Sequence, residues 1–161
     1  MRKKIYLFSI IIFIIDLLSK LIITNYENKL SITVIDNFFF LNKVTNEGAA
    51  FSMFSGFTIF LILIGLFVLF YIHKYLLKEV TTKLEIVGYS FIIGGIIGNL
   101  FDRIVYGEVI DFLSFKIFNY YFPIFNLADT FICIGIFLII ISFLKKDKKI
   151  KKGDQHDYNF R

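Results

Sequence analysis

The sequence has very little cysteine, histidine and proline, and these shortages exclude several kinds of site. It contains one cysteine, one proline, two histidines and no tryptophan among 161 residues. One cysteine allows neither an internal disulfide nor a cysteine metal cluster, and Cys133, inside an apolar run, is predicted to be a core residue. The histidines are not spaced as H-E-x-x-H, and no G-x-S-x-G motif occurs. Zincin and serine-hydrolase sites are therefore excluded.

Apolar residues, by contrast, are more abundant than a soluble domain of this length can bury. They make up 57% of the chain, against about 45–50% in ordinary domains. Four stretches approach the roughly 20 residues that a membrane-spanning helix needs. We predict helices at about 5–23, 57–77, 86–104 and 127–144. They form one integral membrane domain, residues 1–144, followed by a flexible basic cytoplasmic tail, residues 145–161.

Basic residues are concentrated on one side of the predicted spans. Of the 18 Lys and Arg residues, 13 lie before the first helix, between the second and third, or after the fourth. By the positive-inside rule both termini are cytoplasmic. The net charge of +5 suits anionic membrane lipids, and nucleic-acid binding is not expected because these residues flank spans. The first helix resembles a signal peptide but is predicted to be retained, since Asp16 and Lys20 interrupt it and no small-residue cleavage site follows.

The two segments on the other side carry strand patterns. Ser31–Phe40 is rich in β-branched and aromatic residues, with turn-forming Asp36-Asn37 in its middle. Val109–Phe118 partly alternates, and Asn119 can turn the chain back. We expect a small sheet on the outer membrane face, where Phe and Tyr side chains suit the interface.

Two charged residues interrupt the first predicted helix. Asp16 and Lys20 are four residues apart, which places them on one helical face in the better order for pairing. Ionisable groups inside a bilayer cost at least about 2.5 kcal/mol on insertion scales and usually mark function. Two interpretations stay open: an ion pair that lets the helix insert, or a lysine that reaches to the outer surface.

The third predicted helix ends in glycines followed by polar residues. Gly94 and Gly98 form a G-x-x-x-G pair, which we interpret as a helix-packing contact. Asn99 precedes Asp102 by three residues and Arg103 by four, near the outer interface. Three such groups so close together exceed what an interfacial anchor requires.

Two further aspartates lie near the same interface. Asp111 is in the outer segment, and Asp129 follows Asn126 by three residues at the start of the fourth helix. The second pair approximates a capping box, so helix capping also explains Asp129. The sequence leaves open whether Asp111 and Asp129 meet. If they do, one keeps a proton while the ionised partner acts as general base on a water, as in aspartic proteases.

Five motifs together support a more specific interpretation. They are Asp16-Leu-Leu-Ser-Lys20, Asn46-Glu-Gly48-Ala-Ala-Phe51, Gly94-Gly95 with Gly98-Asn99-Leu-Phe-Asp102-Arg103, Gly107-Glu-Val-Ile-Asp111-Phe112, and Phe125-Asn126-Leu-Ala128-Asp129. With these motifs in this order, the chain resembles the bacterial lipoprotein signal peptidases, also called type II or prolipoprotein signal peptidases. The resemblance covers nearly the whole chain apart from the tail.

The resemblance implies a four-transmembrane-helix bundle with a small extracytoplasmic β-sheet cradle, in the bacterial cytoplasmic membrane. It implies an aspartic endopeptidase with Asp111 and Asp129 as the catalytic dyad near the extracytoplasmic face. The enzyme would cleave diacylglyceryl-modified prolipoproteins just before the lipidated cysteine. Residues that would bind substrate or support the site are Asp16, Lys20, Asn46, Gly48, Asn99, Asp102, Arg103, Asn126 and Ala128.

The resemblance also bears on ligands. Membrane lipids surround the enzyme, globomycin-type inhibitors are expected to bind, and neither a cofactor nor a metal is expected. One departure from the family pattern is Thr130-Phe131, which follow the last aspartate where small hydroxyl residues are typical.

Two other functions fit the composition less well. A small proton or ion carrier would use the acidic residues as a relay, but carriers usually place them near the midplane, with repeats or broken helices. A non-enzymatic scaffold would use the G-x-x-x-G face to bind another helix.

Overall fold

The computed structural model describes residues 1–25, 31–49 and 53–158, with side chains through residue 147. Its helices are α1 (Arg2–Asn25), α2 (Thr58–Lys74), α3 (Lys83–Tyr106) and α4 (Leu127–Tyr158). A short 3-10 turn, Leu76–Lys78, follows α2. In the described chain, four helical segments are long and apolar enough to cross a membrane. The predicted four-helix architecture is confirmed.

The helix ends differ modestly from the predicted ones. Helix α4 continues through the basic segment to Tyr158 instead of ending near residue 144. Helix α3 ends at Gly107, whose φ of 81° lies in the left-handed region that favours glycine. The predicted motif residues Ala50 and Phe51, and the last residues of the tail, lie outside the described residues.

Helix α3 lies at the centre of the bundle, where glycines let its neighbours approach. A Cβ added at Gly94 would meet Ile12 of α1 at 2.6 Å, and one at Gly95 would meet the Ala128 carbonyl oxygen of α4 at 2.5 Å. Further along, Gly88 and Gly135 cross backbone to backbone. The predicted packing role of the glycine motif is confirmed, with two partner helices instead of one.

Helix α2 lies at the edge of the bundle. Of its side chains, all of which are described, only Ile72 is fully buried. Polar contacts hold its two ends: Thr58 Oγ1 donates to the Gly107 carbonyl at 3.0 Å, and His73 Nδ1 is hydrogen-bonded to Tyr6 Oη of α1. Val68 and Leu69 pack against the core of the bundle, and most of the other side chains are apolar and exposed, as expected for a helix that faces lipid.

A four-stranded antiparallel sheet covers one end of the bundle, which we call the sheet end. Its strands are β1 (Ser31–Ile35), β2 (Phe39–Asn46), β3 (Val109–Ile117) and β4 (Tyr120–Tyr121), in that spatial order. The predicted hairpins are confirmed, with Asn37 at a φ of 57° in the first turn. Strand β2 runs beyond the predicted segment to Asn46.

An irregularity in β2 lies beside the middle of β3. Leu41 pairs with Leu113 and Val44 with Asp111, so β2 contains one more residue than β3 over this stretch. Such bulges bend a strand and redirect its side chains. Strand β2 thereby brings its last residue, Asn46, level with Val109 and near Asp111.

The segment before α4 is fastened to β3. The Phe125 carbonyl accepts hydrogen bonds from the N–H groups of Phe112 (3.0 Å) and Leu113 (2.8 Å), and the Phe125 N–H donates to the Leu113 carbonyl at 3.2 Å. Beneath this contact, Ile23, Ile110 and Phe112 form a small apolar core. The first turn of α4 is therefore held against the strand that carries Asp111.

Candidate active site

Asn126 caps α4 and holds Asp129 in the first helical turn. Asn126 Oδ1 accepts a hydrogen bond from the Asp129 N–H at 2.9 Å, and the Asn126 N–H donates to Asp129 Oδ2 at 3.4 Å. This reciprocal pair is the capping box predicted from the spacing. Thr130 Oγ1 also donates to the Asn126 carbonyl, at 3.0 Å. The Asp129 carboxylate is thus fixed relative to the helix axis.

The same asparagine reaches the other aspartate. Asn126 Nδ2 lies 2.8 Å from Asp111 Oδ1, and Asn126 is completely buried. Asn46 Nδ2, at the end of β2, donates to Asp111 Oδ2 at 3.0 Å. One amide therefore contacts Asp111 through its nitrogen and the Asp129 backbone through its oxygen. The question that the sequence left open has an answer, because the two aspartates lie at one site.

Asn99 completes the contacts of Asp129 from α3. Asn99 Nδ2 donates to Asp129 Oδ1 at 2.7 Å, while Asn99 Oδ1 accepts from Asn126 Nδ2 at 3.1 Å. Each carboxylate is thus contacted by two polar partners from different elements. Convergence of this kind fixes side-chain rotamers, which a reactive site requires.

Arg103 and Gly48 close the side of the site next to β2. Arg103 Nη2 donates to the Gly48 carbonyl at 2.6 Å, and the Gly48 N–H donates to Asn46 Oδ1 at 2.9 Å. Arg103 Nε is buried and has no hydrogen-bond partner among the described residues. A buried donor of this kind is costly unless something else satisfies it.

Asp16, Lys20 and Asp102 form a buried ion cluster behind the site. Lys20 Nζ lies 2.8 Å from Asp16 Oδ2 and 2.8 Å from Asp102 Oδ2. Lys20 is only 2% exposed, so the interpretation in which it reaches the outer surface is wrong. Ala128, also buried, donates its N–H to Asp16 Oδ1 at 2.9 Å.

A cavity of about 590 Å³ adjoins both aspartates. Its polar lining includes the carboxylates of Asp111 and Asp129, and its remaining walls are largely apolar side chains of α4 and of the segment before it, including Phe122 and Ile132. Cys133 is exposed and lines this cavity, so its predicted place in the core is wrong. Cys133 follows Asp129 by one helical turn and so lies on the same face of α4. The apolar sequence around Cys133 gave no indication of this position.

The environment of Asp111 favours its protonated form. Burial is the main cause and, together with the negative charge of Asp129, raises the pKa of Asp111 from its ordinary value of 3.8 to about 6. Hydrogen bonds from Asn46 and Asn126 and the charge of Lys20 oppose this rise. Asp111 is therefore suited to hold a proton that an unperturbed aspartate would have lost.

The residues predicted to act at the site all lie in this network. What the sequence did not indicate is the convergence itself: Asn126 against Asp111, and Lys20 against Asp102. These contacts join residues far apart in the chain, and no local spacing signals them. The place of Asn46 at the end of β2 could have been inferred, because the sequence before it can continue the predicted strand. The polar residues in that stretch obscured the strand pattern.

Fold and site together define a multi-pass membrane protein with paired carboxylates beside an apolar cavity, an arrangement suited to hydrolysis next to a lipid phase. The comparisons agree. Residues 8–145 match the family described as signal peptidase (SPase) II. The chain belongs to this family of membrane proteases, and it removes signal peptides from lipoproteins.

Two solved structures are similar to this one, both described as bacterial membrane enzymes studied by the in meso method. The first, at 2.3 Å resolution, is 34% identical with a TM-score of 0.82, and the match covers 89% of this chain and 88% of the other. The second, at 1.9 Å, is 35% identical with a TM-score of 0.77, covering 86% and 91%.

Proposed function

We propose that Asp111 and Asp129 are the catalytic dyad of an aspartic endopeptidase. The substrate is a diacylglyceryl-modified prolipoprotein, cleaved just before the lipidated cysteine. The observation that carries this proposal is the Asn126 side chain, which contacts Asp111 and the Asp129 backbone at once, at 2.8 and 2.9 Å. A purely capping asparagine has no need of a second carboxylate.

The two carboxylates take different parts in this proposed reaction. Asp111 holds the proton and donates it to the carbonyl oxygen of the scissile bond, consistent with its raised pKa. Asp129 accepts a proton from the attacking water, whose oxygen bonds to the carbonyl carbon. Collapse of the tetrahedral intermediate breaks the C–N bond, and the new amine takes a proton from the dyad. Titration then belongs to the pair as a whole.

Other residues at the site position substrate and carboxylates. Arg103, which lines the cavity, binds a substrate carbonyl. Asn46, Asn99 and Asn126 hold the dyad through the contacts given above. The apolar cavity walls suit acyl chains, which need no hydrogen bonds, and they limit water near the dyad.

The orientation in the membrane follows from charge. Lys and Arg residues flank the end opposite the sheet, so we propose cytoplasmic termini and a site near the extracytoplasmic face of the bacterial inner membrane. A lipoprotein substrate anchored by its acyl chains would present its scissile bond at that depth. The ion-carrier and scaffold alternatives are not favoured, since the family consists of peptidases.

The test is a cleavage assay on a diacylglyceryl-modified prolipoprotein with purified wild type, Asp111→Asn and Asp129→Asn. We expect wild type to release the signal peptide and each variant to lose activity by about 1,000-fold, within the range that acid–base groups supply. Glu85→Gln is the matched control, because Glu85 is also a carboxylate in a capping box. Cleavage that persists in either aspartate variant would refute the dyad. Globomycin added to the same assay is expected to stop wild-type cleavage.

A further inference from the structure

Lys20 has no part in the proposed reaction, yet its surroundings are more elaborate than insertion requires. Its ammonium contacts two carboxylates and one amide: Asp16 and Asp102 at 2.8 Å each, and Asn99 Oδ1 at 3.1 Å. Asp16 alone, one turn away on the same helix, would neutralise the charge. The additional contacts to α3 need another explanation.

The contact with Asn99 fixes the orientation of that amide. A lysine ammonium donates hydrogen bonds and cannot accept them, so the Asn99 oxygen must face Lys20. The nitrogen must then face the opposite way, where it donates to Asp129 Oδ1 at 2.7 Å. Asn126 Nδ2 also donates to the Asn99 oxygen, at 3.1 Å, so Lys20 is one of two donors that hold it. Without Lys20 the orientation of the amide depends on Asn126 alone, and the amide is less firmly held against Asp129.

The two carboxylate partners hold the backbone just before each aspartate of the dyad. Asp16 Oδ1 accepts the N–H of Ala128 at 2.9 Å, and Ala128 immediately precedes Asp129. Asp102 Oδ2 accepts the N–H of Ile110 at 3.3 Å, and Ile110 immediately precedes Asp111. Lys20 thus holds the carboxylates of Asp16 and Asp102 in place. These carboxylates in turn hold the backbone next to Asp129 in α4 and next to Asp111 in β3.

We propose that Lys20 is a positioning residue of the dyad, acting through the Asn99 amide and through the paired carboxylates of Asp16 and Asp102. This inference rests on the proposed function of Asp111 and Asp129. Lys20 does not contact the reacting atoms, so its loss slows the chemical step while substrate still binds in the apolar cavity.

The single variant Lys20→Met leaves two buried carboxylates without a cation, and such a loss is strongly destabilising. The decisive variant is therefore the double one, Asp16→Asn with Lys20→Met. It removes one cation and one carboxylate together, which keeps the net charge of the cluster. The new amide oxygen can still accept the Ala128 N–H. What it lacks is the donor to Asn99 and the cation beside Asp102.

The matched control removes an ion pair at the other end of the bundle, Glu85→Gln with Lys146→Met. Glu85 Oε1 and Lys146 Nζ lie 2.5 Å apart, far from the cavity lining. The kcat and KM of both double variants are measured on the lipidated prolipoprotein, and folding is checked by size exclusion and thermal unfolding. The control is expected to keep the wild-type kcat.

For the Asp16→Asn, Lys20→Met variant we expect a folded protein whose kcat is about 10- to 100-fold lower, as small displacements of reacting groups produce, with KM changed by less than about threefold. A kcat equal to wild type would overturn the proposal, since Lys20 would then be only a counter-ion. Failure of this variant to fold would overturn it too, because Lys20 would then be a requirement of the fold.

The dyad itself is tested by separate variants. If Asp111→Asn and Asp129→Asn keep cleaving, the proposed function fails whatever the Lys20 result. If both are inactive while the double variant cleaves at the wild-type kcat, only the role of Lys20 is lost.

Discussion

The two ends of the bundle each contain a capping box, and the two boxes have the same local geometry. At the start of α3, Glu85 N–H donates to Thr82 Oγ1 and Thr82 N–H donates to Glu85 Oε2, both at 3.1 Å. At the start of α4, Asn126 and Asp129 exchange the equivalent bonds at 2.9 and 3.4 Å. Each acid also lies where a helix dipole favours negative charge.

The boxes differ in what lies across from the acid. Glu85 faces a cation, Lys146, and Ser142 donates to the same Glu85 oxygen at 3.2 Å. Asp129 faces a second carboxylate, Asp111, with a cavity beside them. A cation neutralises the acid and completes its bonding. A second carboxylate leaves a proton to be shared. The group that faces the acid of each capping box, a cation or a second carboxylate, therefore distinguishes a structural acid from a reactive one.

The largest difference in kcat between the two ends is expected when the N-cap residues themselves are replaced by alanine. Thr82→Ala and Asn126→Ala should each lower the free energy of unfolding by about 1 kcal/mol, as cap deletions do. Only Asn126→Ala should also lower kcat, by about 100-fold, because its amide holds Asp111 as well. Thermal unfolding and cleavage kinetics on the pair check this. Equal kcat values in the two variants would mean that Asn126 is a cap and nothing more.

A smaller effect on the cleavage rate is expected from pH, and it comes from the sheet end. Because its pKa is raised to about 6, Asp111 loses the proposed catalytic proton above that pH. The cleavage rate should therefore fall about tenfold per pH unit toward alkaline pH. The folded state also binds this proton more tightly than the unfolded state, so stability from Asp111 is present below pH 3.8 and is lost as pH rises through about 6.

This pH effect is measured as kcat/KM between pH 5 and pH 8, because kcat/KM reports the groups of the free enzyme. Thermal unfolding over the acid range measures the effect on stability. Asp111→Asn should remove the contribution of Asp111 to the pH dependence of stability between pH 3.8 and about 6. A rate that rises through pH 6 to a plateau would contradict the assignment of the proton to Asp111.

The smallest effect on activity is expected at the opposite end. Glu85→Gln weakens its charged hydrogen bonds and should lower the free energy of unfolding by about 1–3 kcal/mol. It should leave kcat within about twofold of wild type, since distant sites act independently. A large loss of kcat in a folded Glu85 variant would show that the two ends are coupled.

Much of the helical fold could be predicted from the sequence because lipid imposes long apolar runs. The first hairpin could be predicted equally well, since Asp36-Asn37 supply a turn between aromatic and β-branched residues. The end of β2 could not be predicted in this way. The polar residues Asn42 and Lys43 and the irregular pairing between Leu41 and Val44 break the alternation. The extension of α4 was missed because lysines that end an apolar run still favour helix.

At the site, residue types could be predicted but not their contacts. The spacing of Asn126 and Asp129 predicted a cap, and the spacing of Asp16 and Lys20 predicted an ion pair; both were confirmed. Neither spacing indicates Asp111 or Asp102 as further partners, because these contacts depend on how helices and sheet pack. Their roles in catalysis stay predictions until the variants are measured.

Helix α2 has a consequence for how this sequence can vary. It is tied at Thr58 and His73, buries Ile72, and lets Leu100 of α3 approach at Gly65. Val68 and Leu69 also pack against the core of the bundle. The exposed side chains of α2 suit contact with acyl chains, which have no fixed shape to complement. Substitution of one apolar residue by another should therefore be nearly neutral for stability on the exposed part of this helix. Selection there acts on the apolar character of the residues more than on which apolar residue is present. In a saturation library, α2 would tolerate far more substitutions than α3, although both cross the same bilayer.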